Sequence, residues 1–159
     1  MSVAFTKETD HEASAADLPD RPVSQHPNLV TAEGLAAIDQ ALSDARAAFN
    51  AARADGEISA DRTAMARATR DLRYWSARRS TAQLTEREPE KPGVQFGDRV
   101  AVEREDGRRQ SFRIVGEDEA DPKAGTVSWV SPLAQALLGR EVGHVATVAG
   151  AEVELVEIG

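Results

Sequence analysis

The chain has 159 residues, a formal net charge of −8 and no cysteine. Phosphate backbones repel an acidic chain unless its basic side chains are clustered, so direct nucleic-acid binding is not the first expectation. The lack of cysteine excludes disulfides, thiolate metal sites and cysteine nucleophiles. No apolar run approaches the ~18 residues of a membrane span. We therefore expect a soluble cytoplasmic protein.

The first 28 residues predict a disordered arm. They include Pro19, Pro22 and Pro27 and show almost no apolar periodicity, so they cannot bury enough surface to order themselves. Within the arm, Leu18–Pro22 can dock on a partner surface as a short extended motif.

Residues 29–88 predict an antiparallel coiled-coil hairpin. Apolar residues recur at spacings of three and four, the period of a coiled-coil seam, and Thr31 is a good N-cap for the first helix. The seam positions are Leu35, Ile38, Leu42, Ala45, Phe49 and Ala52, then Met65, Ala68, Leu72, Trp75 and Ala82. The first helix should end near Gly56, and the second between Glu86 and Pro92. A tip of five or six residues favours antiparallel arms of roughly 33 to 36 Å.

Arginines load the second helix at positions 62, 67, 70, 73, 78 and 79. Pairing with the acids of the first helix is the simpler interpretation. A basic face for an acidic partner or for nucleic acid is the alternative.

Residues 93–159 predict a small α+β domain with a mostly antiparallel sheet and one helix. Period-two apolar patterns predict five strands: Arg99–Glu103, Ser111–Val115, Thr126–Val130, His144–Val148 and Glu152–Ile158. The helix lies between the third and fourth strands. Ser131 suits its N-cap, Pro132 its first turn and Gly139 its end.

Candidate chemistry is confined to two acidic clusters. Asp55, Glu57 and Asp61 lie at the hairpin tip, where carboxylates can hold a divalent ion. Glu117–Pro122 forms an acidic loop between two strands. The three histidines are scattered along the chain, which supports neither a metal site nor an acid–base pair. We predict no intrinsic enzyme activity and no intrinsic cofactor.

Two stretches of the C-terminal domain resemble one family closely. These are FRIVGEDEAD at Phe112–Asp121 and VSPLAQALLGR at Val130–Arg140. VQFGDRV at Val94–Val100 and LVTAEGL at Leu29–Leu35 extend the match to about residues 29–159. All four are similar to segments of the Gre family of bacterial transcription elongation (transcript-cleavage) factors.

The resemblance implies an FK506-binding-protein-like C-terminal domain without isomerase activity. That domain docks on RNA polymerase at the rim of the secondary channel, and the hairpin enters the channel. The best candidates for polymerase contact are Asp118, Glu119, Asp121, Ser131 and Pro132. In cleavage-competent relatives, two tip acids help the polymerase bind a catalytic magnesium, a role that would fall here to Glu57 and Asp61. Contact with DNA or RNA is expected only within the transcription complex, and the protein is expected to be a monomer.

The tip departs from the family pattern. The family reads Gly-Asp-Leu-x-Glu-Asn, whereas residues 56–61 read Gly-Glu-Ile-Ser-Ala-Asp. Both arms are also shorter than usual by about two turns, or roughly 11 Å. The sequence thus predicts a Gre-like regulator of elongation with altered channel activity. The alternatives are a genuine transcript-cleavage factor and a non-enzymatic interaction module with another partner.

Overall fold

The computed structural model describes residues 18–54 and 61–159, without the side chain of Asp61. Contacts divide the chain into two units. Among the described residues, the hairpin unit contains 18–25, 38–54 and 61–81, and the C-terminal unit contains His26–Ala37 and Ala82–Gly159. The first residues of helix one, Ala32–Ala37, therefore belong to the C-terminal unit. The predicted domain limits of 29–88 and 93–159 place these residues in the hairpin instead.

Two long helices confirm the predicted hairpin. Helix α1 spans Ala32–Ala54 and helix α2 spans Asp61–Thr81. The buried seam contains Ile38, Leu42 and Ala45 of α1 and Ala68 of α2. Arg79 Nε lies 2.5 Å from Asp39 Oδ1, which joins the end of α2 to an early turn of α1 and makes the pair antiparallel.

Helix α2 ends earlier than predicted. Its last residue is Thr81, because the chain beyond it pairs with the segment before α1. Strands β1 (Leu29–Val30) and β2 (Gln83–Leu84) are parallel. The Gln83 amide donates to the Asn28 carbonyl at 2.8 Å. Once backbone groups are used in this bridge they cannot continue a helix.

Residues 18–28, within the arm predicted to be disordered, make defined contacts. Arg21 packs on Tyr74 in the hairpin unit, and Asn28 is buried in the C-terminal unit. Residues 1–17 lie outside the described part of the chain, so their disorder stays a prediction.

The C-terminal unit is the predicted α+β domain. Its strands are β3 (Arg99–Arg104), β4 (Arg109–Val115), β5 (Thr126–Ser128), β6 (Val145–Val148) and β7 (Ala151–Ile158). They form one sheet in the order β5-β4-β3-β7-β6, antiparallel except for the parallel pair β4–β5. Helix α3 (Pro132–Leu137) contributes Ala134 and Leu137 to the core beneath the sheet. All five strands lie within a few residues of their predicted positions.

A buried carboxylate organises the entry to this sheet. Asp98 is 5% exposed, accepts the Gln95 amide at 2.9 Å and pairs with Arg87. Gly97 has a φ of 89°, a conformation that favours glycine. These contacts turn the chain into β3 and give Gly97 and Asp98 of the motif at residues 94–100 a structural role.

Candidate functional site

The candidate docking residues of the C-terminal unit lie on two short segments. One is the loop from Glu117 to a 3-10 turn at Pro122–Ala124, and the other is the start of α3. Asp121 and Pro132 are exposed, whereas Asp118, Glu119 and Ser131 are half-buried. The five predicted residues therefore differ in how far a partner can reach them.

Ser131 and Pro132 have the local roles that the sequence predicts. The Ser131 hydroxyl accepts the Ala134 amide at 3.3 Å, which caps α3, and Pro132 is the first helical residue. Gly139, just past the helix, has a φ of 80°. Because the cap and the proline both restrict the backbone, Pro132 is presented by a rigid segment.

Asp121 is likewise held by its own loop. Its carboxylate accepts the Lys123 amide at 3.1 Å and caps the 3-10 turn. Its backbone amide donates to the Thr126 hydroxyl at 2.7 Å. The turn that carries this exposed acid is therefore tied directly to strand β5.

Glu119 points into the protein rather than outward. The Thr31 hydroxyl donates a hydrogen bond shared by the two Glu119 carboxylate oxygens, at 2.6 and 2.7 Å. The same hydroxyl accepts the Gly34 amide at 3.0 Å, so Thr31 is the predicted N-cap of α1 and also holds Glu119. A Cβ at Gly34 would lie 2.4 Å from Glu119 Oε2. We name Thr31, Gly34 and Glu119 the helix-base lock.

A second contact supports the base of α1. Arg113 Nη1 lies 3.5 Å from Glu33 Oε2, and Arg113 Nε donates to the Gly97 carbonyl at 3.0 Å. The Glu33 carboxylate accepts its own backbone amide and faces Arg113, and both contacts lower the pKa of Glu33. An acid in the first turn also suits the positive end of the helix dipole.

An open groove lies beside the exposed docking residues. It has a volume of about 350 Å³ and is lined by Gln110, Ser111, Phe112, Pro122, Gly125, Val127 and Leu133. Pro122 follows Asp121 and Leu133 follows Pro132, so the two candidate segments border the same groove. We call it the β4–α3 groove.

The predicted tip site lies outside the described residues. Asp55 and Glu57 fall in the undescribed segment 55–60, and for Asp61 only the backbone at the start of α2 is described. Within residues 18–54 and 61–159, no group of three or more His, Asp or Glu side chains can hold a metal ion. The tip acids therefore stay a prediction.

Sequence reasoning missed the helix-base lock and the groove. The lock joins residues 88 positions apart, and no local pattern indicates such a pairing. The groove is lined by three consecutive residues of β4, Gln110–Phe112, and by residues of three later segments, and no period-two or helical pattern brings such a set together.

The described chain thus comprises two units, a helical hairpin and a small α+β unit that carries an apolar groove. In the described part of the chain, no helix is long and apolar enough to cross a membrane. Residues 89–158 match the family model described as transcription elongation factor, GreA/GreB, C-terminal. The chain is 33% identical over 130 residues to transcription elongation factor GreB of Pasteurella multocida (strain Pm70), covering 72% of this chain and 82% of that protein.

A second relative agrees. Transcription elongation factor GreA of Phenylobacterium zucineum (strain HLK1) is 33% identical over 139 residues, covering 75% of this chain and 86% of its own. The chain therefore belongs to the GreA/GreB family of transcription elongation factors, as its motifs predict. Among solved structures, the GreA factor homolog 1 (Gfh1) protein of Thermus thermophilus aligns at 21% identity with a TM-score of 0.40, covering 84% of this chain and 99% of that one.

Proposed function

We propose that this protein binds bacterial RNA polymerase through its C-terminal unit and regulates transcript elongation as an accessory factor. Family membership supports elongation control as the biological process. One observation supports the docking face: Pro122 and Leu133, the sequence neighbours of Asp121 and Pro132, line the same β4–α3 groove. An exposed acid and an exposed proline beside an apolar groove can bind a partner that offers an apolar ridge next to a basic side chain.

Preordering supports this assignment. The Asp121 turn is tied to Thr126, and the Pro132 segment is capped by Ser131. A surface fixed before binding loses little conformational entropy on association. We assign Ser131 to orienting Pro132. Asp118 lies in the same acidic loop as Asp121 and is half-buried.

Glu119 has a different role in this proposal. Its carboxylate accepts a hydrogen bond from the Thr31 hydroxyl, which holds the side chain against the N-cap of α1. We assign Glu119 to fixing the first turn of α1, in place of the direct polymerase contact that the sequence predicts.

The hairpin is proposed to enter the secondary channel of the polymerase. Helices of 23 and 21 residues are about 35 and 32 Å long at ~1.5 Å per residue. With these short arms and the displaced tip acids Glu57 and Asp61, we propose that the protein modulates elongation without strong stimulation of RNA cleavage. Because the tip side chains lie outside the described residues, we assign a shared magnesium no step in this mechanism.

The docking face is tested by pull-down of core RNA polymerase. The double variant Asp121→Ala/Pro132→Ala should reduce binding at least tenfold. The matched control, Asp106→Ala/Pro92→Ala, removes the same residue types from exposed positions that do not line the groove, and it should bind normally. Undiminished binding by the first variant would refute the docking face.

The channel role is tested separately on a stalled, backtracked polymerase with labelled RNA and magnesium. We expect altered pausing or protection with little cleavage. Efficient cleavage that is lost in Glu57→Ala/Asp61→Ala would instead identify a genuine cleavage factor. Failure of the unmodified protein to bind polymerase would favour an interaction module with another partner.

A further inference from the structure

Asp20 and Arg21 lie beside helix α2, and Arg21 contacts three of its side chains. Arg21 Cζ lies 3.8 Å from the centroid of the Tyr74 ring and 5.4 Å from that of Trp75. Arg21 Nη1 lies 3.6 Å from Asp71 Oδ1. The guanidinium of Arg21 is thus in contact with an aromatic face and a carboxylate together.

The three helix residues form one surface because of their spacing. Asp71, Tyr74 and Trp75 occupy positions i, i+3 and i+4, which lie on the same face of a helix. The Tyr74 and Trp75 rings meet edge to face, with centroids 5.0 Å apart and planes at 81°. This arrangement offers two aromatic rings to one cation, while Asp71 supplies the opposite charge.

A second ion pair fixes the direction of the docked segment. Arg73 Nη1 lies 3.2 Å from Asp20 Oδ1. The acid–arginine dipeptide Asp20–Arg21 therefore meets Arg73 and Asp71 of the helix with opposite charges at each position. Pro19 and Pro22 flank the dipeptide and restrict its backbone to extended conformations, which lowers the entropy lost on docking.

We propose that Asp71, Tyr74 and Trp75 form a guanidinium-binding site on α2, with Arg21 as its built-in ligand and residues 18–25 as a releasable strap. An arginine guanidinium is preferred over a lysine ammonium because it is planar, stacks on aromatic faces and is more weakly hydrated. The site does not depend on polymerase binding, so it can be tested on the isolated protein.

Release of the strap follows from its exposure. The side chains of Arg21 and Asp71 are 37% and 42% exposed, and those of Arg73 and Asp20 are 67% and 62% exposed. An exposed ion pair shifts an equilibrium by at most about fivefold. Raising the ionic strength from 0.1 to 1 M shortens the screening length from about 10 to about 3 Å. The strap should therefore release progressively as salt is added.

The test uses the full chain and the indole N–H resonances of its two tryptophans. Trp129→Phe removes one of the two indole signals and so assigns the other to Trp75. All later measurements keep Trp129. Arg21→Ala should shift the Trp75 resonance, and 1 M salt should shift it in the same direction. In Arg21→Lys the Trp75 resonance should lie between its positions in the unmodified protein and in Arg21→Ala.

Competition in trans identifies the ligand class. The peptide Leu-Pro-Asp-Arg-Pro-Val-Ser-Gln, added at about 10 mM to Arg21→Ala, should return the Trp75 resonance toward its original position, since flexible tethers give effective concentrations in this range. A peptide with lysine in place of arginine should bind at least threefold more weakly. Asp71→Asn combined with Arg21→Ala should reduce the peptide response by about fivefold.

Three results would overturn the proposal. The first is a Trp75 resonance unchanged by Arg21→Ala. The second is an equal response to the arginine and lysine peptides. The third is a full peptide response in the Asp71→Asn background. Because all three readings come from one assigned signal in a folded chain, loss of polymerase binding cannot imitate any of them.

Discussion

The two units of this protein are stabilised by different kinds of contact. In the C-terminal unit, Ile114, Val153 and Leu155 are fully buried under one sheet. The described part of the hairpin unit buries two large apolar side chains, Ile38 and Leu42, and two alanines on its seam. It adds half-exposed ion pairs such as Asp39–Arg79. Added salt screens exposed charge pairs, whereas sulfate and phosphate salts strengthen apolar burial. Salt should therefore destabilise the hairpin unit before the C-terminal unit.

The largest expected effect comes from the apolar core. Leu155→Ala removes a fully buried side chain from the centre of the sheet and should lower the free energy of unfolding of the C-terminal unit by about 4 kcal/mol. Amide hydrogen exchange in β3, β4 and β7 measures this loss directly. As the control, Val145→Ala truncates a side chain that is 52% exposed and should change exchange little. Equal effects of the two variants would contradict the assigned core.

A slightly smaller effect is expected where the backbone is crowded. A Cβ at Gly116 would lie 2.4 Å from the Leu29 carbonyl oxygen, and a backbone atom cannot move aside cheaply. Gly116→Ala should destabilise the C-terminal unit by about 3 kcal/mol. Gly34→Ala is the matched comparison, because its Cβ would meet the movable carboxylate of Glu119. It should cost less in thermal or chemical unfolding; a reversed order would show that the helix-base lock is the stiffer contact.

The hairpin seam should respond less than the sheet. Leu42→Ala removes a side chain that is 7% exposed and lies in a seam with few large apolar residues. The free energy of unfolding should therefore fall by about 2 kcal/mol, the low end for such truncations. Exchange of α1 and α2 amides gives the measurement. The control is Arg46→Ala, at an exposed position of α1, because arginine and alanine have similar helix propensities. A loss at Leu42 as large as at Leu155 would remove the proposed difference between the units.

The sequence predicted elements whose signals are local. The spacing of Ile38, Leu42 and Ala45 located the buried face of α1, and Ser131 with Pro132 located the start of α3. The sequence also favoured pairing between arginines of α2 and acids of α1, and Arg79–Asp39 is such a pair, but other contacts between distant residues were not predictable. Arg78, one of the arginines for which the sequence favoured pairing with acids of the first helix, is 2% exposed, because burial of a long side chain depends on its three-dimensional neighbours.

The candidate site shows the same limit. The motif at 112–121 indicated an important acidic loop, but its residues looked equivalent in the sequence. In the structure Asp121 is exposed, whereas Glu119 accepts a hydrogen bond from the Thr31 hydroxyl. Only the fold distinguishes the acid that faces solvent from the acid that fixes a helix. The sequence thus indicated the segment, and the structure distinguishes the exposed Asp121 from the hydrogen-bonded Glu119.

The smallest expected effect concerns pH at the base of α1. The backbone amide of Glu33 and the nearby Arg113 lower the pKa of the Glu33 carboxyl in the folded state. A carboxyl with a lowered folded pKa contributes stability that is complete above its unfolded pKa and is lost as pH falls through the folded value. The unmodified protein should therefore exceed Glu33→Gln in stability at pH 7, and the difference should shrink toward zero as the pH falls below about 4.

Denaturant unfolding of both proteins between pH 7 and pH 3 measures this difference. Repeating the series in 1 M salt separates the two causes, since salt screens the attraction of Arg113 but leaves the bond to the Glu33 amide largely intact. The pH-dependent difference should shrink in salt without vanishing. A difference that grows toward low pH would have the wrong sign for a carboxylate stabilised in the folded state, and would show that Glu33 does not support the first turn of α1.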